Sequence, residues 1–78
     1  MSPSMSLNSQ NKYEIKICGQ LDESWLGWLE GAKAHSEPWV DNSQVTTISN
    51  LIMDQAGLVG LIRRLHGLGI LLISIRQV

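Results

Sequence analysis

The chain predicts an α+β (α/β) two-layer sandwich in which two helices and four strands alternate as β-α-β-β-α-β. Three observations predict it. Residues 13–21, YEIKICGQL, place Tyr13, Ile15, Ile17 and Leu21 on one side and Glu14, Lys16, Cys18 and Gln20 on the other, the period of a half-buried strand. Residues 54–67 carry Leu58, Leu61, Ile62 and Leu65 at i, i+3, i+4, i+7, the stripe of an amphipathic helix. Residues 71–76, LLISIR, return to period two immediately after it.

Taken in order, the first dozen residues are mostly Ser, Asn, Gln, Met and Pro without periodicity. They read as a flexible tail over 1–12, ahead of one domain over 13–78. In the first strand Gly19 interrupts the inward side, which suggests a bulge or a closely packed helix. Asp22 then caps a short helix from Glu23 to about Glu30, with Trp25, Trp28 and Leu29 on one side and Gly31 placed to end it. Residues 33–37, KAHSE, make a weak strand that Pro38 is expected to break, and Asp41-Asn42-Ser43 is turn chemistry. Val45 to about Asn50 is β-rich, although Ser49-Asn50 upsets its alternation and implies a bulge or an early end. Leu51 to Met53 lead into the long helix. Asp54 caps it, Met53 and Leu58 are spaced for a hydrophobic staple, and Gly67 is expected to take the left-handed position that ends it.

The element order is that of a ferredoxin-like fold, with both helices on one face of a four-stranded antiparallel sheet. The other face stays open. The alternation assigns it Glu14, Lys16, Cys18, Gln20, Ser74 and Arg76, with Leu72 among them.

A domain of 66 residues buries only about 60% of its unfolded surface and gains much from association. One cysteine excludes an internal disulfide, and no Cys or His spacing makes a metal site, so no metal or cofactor is expected. The homodimer is the expected alternative. Net charge is −1, but residues 1–54 hold seven acids and three lysines while 55–78 hold three arginines and no acid. Such an asymmetric chain can self-associate, whereas its overall balance argues against nucleic acid. No basic n-region, apolar h-region or long apolar run is present, which leads to the expectation of a cytoplasmic protein with no membrane contact.

Three stretches, YEIKICGQLDESWLGWLEG at 13–31, DQAGLVGLIRRLHGLGI at 54–70 and LLISIRQV at 71–78, resemble a group of small bacterial proteins of unknown function. The resemblance implies the order of elements and no activity. This chain lacks the group's hairpin glycine and diverges between His35 and Met53, so the resemblance sets no register for the middle strands.

No residue set names a reaction, and no catalytic residue is assigned. Trp28 is first a core residue by its spacing from Trp25 and Leu29, and otherwise part of an aromatic ligand wall. Trp39, after Pro38 and beside a turn, is the tryptophan expected at the surface. Cys18 is a small semi-apolar filler unless a neighbour such as Lys16 activates its thiol. Lys16, Cys18, Gln20, Trp28, Trp39, Ser74 and Arg76 are therefore the ligand or interface candidates. Ala56 and Gly60 make a smooth outer ridge on the long helix, beside Arg63 and Arg64, and form a second candidate interface. Arg63, Arg64, His66 and Arg76 form a basic patch suited to an anion or an acidic protein. The sequence thus suggests a small homodimeric binding or interaction module rather than an enzyme. The alternative is a small-molecule-binding or catalytic protein with a Trp-lined pocket at the sheet face or dimer seam.

Overall fold

The computed structural model describes residues 9–21, 24, 27 and 29–78. Its elements are β1 (Asn11–Cys18), β2 (Lys33–Pro38), β3 (Gln44–Met53), α1 (Gln55–Gly67) and β4 (Leu72–Gln77). The strands form one sheet in the order β2-β3-β1-β4, and every neighbouring pair is antiparallel. The architecture is α+β. The first predicted helix falls largely on residues outside those described. Of its span, the backbone at Ser24 and Gly27 is 3₁₀-helical, Leu29 is buried in the core, and Gly31 takes a φ of 79°, as expected of a residue that ends a helix.

Alternation in β1 is realised as read: Tyr13, Ile15 and Ile17 are buried, and Glu14, Lys16 and Cys18 are half-buried. The strand begins two residues earlier than expected, because Asn11 and Lys12 pair with Met53 and Ile52 of a β3 longer than its β-rich run. It also stops earlier, at Cys18. Gly19 follows the last paired residue with a φ of 100°, its N–H still donating to the Gln44 carbonyl at 2.6 Å, and a Cβ there would touch nothing, so backbone conformation and not close packing accounts for the glycine.

Pro38 does not break β2. It is the strand's last residue, paired with Gln44. β2 is an edge strand, where a missing N–H is tolerated. In the hairpin to β3, Asp41 and Asn42 take φ of 57° and 62°, and the Ser43 N–H donates to the Val40 carbonyl at 3.0 Å. These are the two left-handed central residues of a type I′ turn, whose twist suits a hairpin. Asp and Asn thus do the work of the glycine the sequence lacks.

β3 resolves the Ser49-Asn50 irregularity as a bulge rather than an end. Tyr13 faces Leu51 and Ile15 faces Ile48, so two residues of β3 oppose Glu14 alone. Asn50 sits there with a φ of 60°, and its side-chain amide donates to the Gly31 carbonyl at 2.8 Å.

The Asp54 carboxylate caps α1, accepting from the Gly57 N–H at 2.8 Å. Leu61 and Leu65 are buried with Tyr13, Ile15, Ile17, Ile48 and Leu51, and Met53, Leu58 and Leu72 pack against this cluster. The helix therefore covers the Tyr13–Ile15–Ile17 side of the sheet. Its ending differs from expectation: Gly67 is still helical, and Gly69, with a φ of 75°, is the left-handed residue. The Gly69 N–H donates to the His66 carbonyl and that of Ile70 to the Leu65 carbonyl, so the reversal falls two residues late.

A second bulge corrects β4. Ile15 faces Ile75 and Lys16 faces Ser74, but Ile17 faces Leu72. One extra residue, Ile73, inverts the alternation before it. Leu72 therefore joins the core instead of the open face, and Leu71, read from the sequence as inward, is 67% exposed.

Candidate functional site

The face of the sheet opposite α1 is the candidate site, an open sheet face ordered by register. Antiparallel partners share a face. One row across it runs Glu37, Val45, Cys18; the next His35, Thr47, Lys16, Ser74; the next Lys33, Ser49, Glu14, Arg76. Ile52 lies beside Lys12 at the far end and is exposed.

Val45 is an apolar side chain on this mostly polar surface and is only 7% exposed. It lies in an open groove of about 160 Å³ lined by Lys16, Glu37, Pro38, Trp39 and Val45. Trp39 is 46% exposed. It is positioned by the turn that follows it: the Trp39 N–H donates to the Ser43 carbonyl at 2.8 Å, and the Ser43 hydroxyl donates to the Val40 carbonyl at 2.5 Å. The groove thus combines the apolar side chains of Pro38, Trp39 and Val45 with the charged residues Lys16 and Glu37. An ion pair lies elsewhere on this face, between Arg76 Nε and Glu14 Oε1 at 3.0 Å.

Of the sequence candidates, Lys16 and Trp39 meet in this groove. Cys18 is a half-buried free thiol in the adjoining row, opposite Val45. Ser74 is exposed beside Lys16, and Arg76 is held by Glu14. Gln20 lies past the end of β1, and its side-chain amide bonds to that of Gln44. Trp28 lies outside the described residues. Ala56, Gly60, Arg63 and Arg64 are exposed on α1, in the opposite layer. The basic patch therefore does not assemble as read, because Arg76 sits on the open face and Arg63, Arg64 and His66 on the helix. Glu37, Pro38 and Val45 were not singled out from the sequence. Their only signal was proximity to Trp39 and its turn, since their convergence on Lys16 depends on strand order.

Among the described residues, no three of His, Cys, Asp and Glu come together to hold a metal ion. No described helix is long and apolar enough to cross a membrane. The fold and site define a small α+β domain with one helix-covered sheet face and one open face bearing a tryptophan-walled groove. The chain belongs to the family of the domain of unknown function DUF8691, which matches residues 12–76. No curated protein and no solved structure matches it.

Proposed function

We propose that the chain is a small homodimeric binding or interaction module whose open sheet face receives a partner. The observation that carries this reading is the groove beside Trp39, which a half-exposed tryptophan lines together with buried Val45 and the charged residues Lys16 and Glu37. Tryptophan is enriched where partners dock, and a charged rim around an apolar centre is the usual layout of an interface. The same reading takes the complete fold as ferredoxin-like, supported by the antiparallel order β2-β3-β1-β4 and by the 3₁₀ backbone at Ser24 and Gly27. The partner chemistry it favours is an acidic, partly apolar segment of protein, with Lys16 as its cation. A cytoplasmic setting goes with an unpaired thiol at Cys18.

A small-molecule or catalytic role is the weaker reading. The groove, at about 160 Å³, is smaller than the roughly 300–1,000 Å³ of ligand pockets, and suits a side chain better than a metabolite.

Two measurements test the proposal. Sedimentation equilibrium at micromolar concentration should return twice 8.7 kDa. Titration with a blocked peptide of alternating Glu and Leu should move the amide shifts of Lys16, Glu37, Trp39 and Val45 saturably, and Trp39→Ala should abolish the response. A monomer with no saturable shifts on this face refutes the reading.

A further inference from the structure

The sheet has two free edges, and they are built differently. β2 is exposed throughout, carries Lys33, His35 and Glu37, and ends in Pro38. Charge and proline on an edge strand oppose pairing with another chain. β4 carries one charged residue, Arg76, already neutralised by Glu14, and is otherwise Leu72, Ile73, Ser74, Ile75 and Gln77. It has the composition of an interior strand at an edge position.

The core adds a second observation. One row of inward side chains crosses the sheet from Ala34 through Ile48 and Ile15 to Ile75. Ile48 and Ile15 are 0% exposed, whereas Ile75 is 37% exposed. The hydrophobic row runs out to the β4 edge and ends there uncovered.

Backbone direction fits as well. The Val78 N–H donates to the Lys12 carbonyl at 2.9 Å, so Val78 turns its backbone toward β1. By alternation Arg76 and Ser74 do the same, and Ile75 and Gln77 turn theirs outward. The bulge at Ile73 precedes the regular stretch Ser74–Gln77, which contains Ile75.

We infer that β4 is the dimer seam, pairing antiparallel with β4 of a second copy about a two-fold axis at Ile75, to make one continuous eight-stranded sheet. The strand is self-complementary in this register. Ile75 meets its own copy on the helix side and extends the core row across the seam. Ser74 pairs with the partner's Arg76, and the ladder ends where the bulge at Ile73 meets the partner's Gln77. No charge faces its like, and each Arg76 keeps its Glu14. The inference rests on the homodimer in the proposed function, and it leaves the groove beside Trp39 free for another molecule.

Hydrogen exchange on the intact wild-type chain tests it, together with sedimentation of two variants. In the dimer the outward amides of Ile75 and Gln77 should exchange at least about tenfold more slowly than in diluted, monomeric protein. Ile75→Lys sets like charges against each other on the axis and should give a folded monomer, while Ser36→Lys on the β2 edge should remain dimeric. A dimer whose Ile75 and Gln77 amides exchange freely, or one that survives Ile75→Lys, overturns the seam but leaves the homodimer standing. A wild-type chain that is monomeric at every concentration overturns both. If Ile75→Lys does not fold, the wild-type exchange pattern decides alone.

Discussion

Two glycines in one helix give opposite predictions. Gly60 is exposed in the middle of α1, and a Cβ built on it meets no atom within 4 Å. Gly60→Ala therefore gains helix propensity, about 0.8–1.0 kcal/mol, with no packing cost. The gain also reflects the smaller entropy of the unfolded chain. Gly57 lies in the first turn, where a Cβ would stand 3.1 Å from Met53 Cβ and 3.3 Å from Asp54 Oδ1. Both neighbours matter: Met53 packs against the core and Asp54 caps the helix through the Gly57 N–H. Gly57→Ala must displace the staple or the cap, which offsets the propensity gain, so it should be neutral or destabilising. The two variants should differ by at least about 1 kcal/mol, equivalent to roughly 4–8 °C in Tm for a domain this size. Urea unfolding at one fixed protein concentration is the assay, since a dimer's stability depends on concentration. A destabilised Gly60→Ala variant, or one with weakened assembly, would show that another backbone lies on the Ala56–Gly60 ridge, and the β4 seam would then be wrong.

Two further outcomes can be checked in the same assay. Leu61, only 1% exposed and in the main cluster, should cost about 2–5 kcal/mol on substitution by Ala. Asn50→Ala should cost about 1–2 kcal/mol, from the left-handed φ of 60° and the lost bond to the Gly31 carbonyl, while Asn50→Gly should cost less; equal stability of all three proteins would mean the bulge is not held by this residue.

The parts of the fold that were legible in the sequence are those set within a few residues. Asp54 caps α1 through a group three positions away, and Leu58, Leu61, Ile62 and Leu65 report the helix by spacing alone. Tyr13, Ile15 and Ile17 report β1 in the same way. Of the site, Lys16 and Trp39 were recognisable separately, one by its side of a strand and the other by its place before a turn. Their meeting was not, because β3 lies between β1 and the end of β2, and Val45, which also lines the groove, is contributed by β3.

The amino-acid order by itself determined the α+β character, the helix with its cap and buried stripe, the inward side of β1 and a turn at Asp41-Asn42-Ser43, since each depends on dihedral preference or periodicity within one segment. Only the tertiary structure decided which strands are edges, and hence why Pro38 is accepted in β2 and why β4 is left open. It alone decided the side on which Leu71 and Leu72 fall. A strand's faces alternate with period two, so a single extra residue at Ile73 exchanges everything before it, and that residue is visible only against the register of β1.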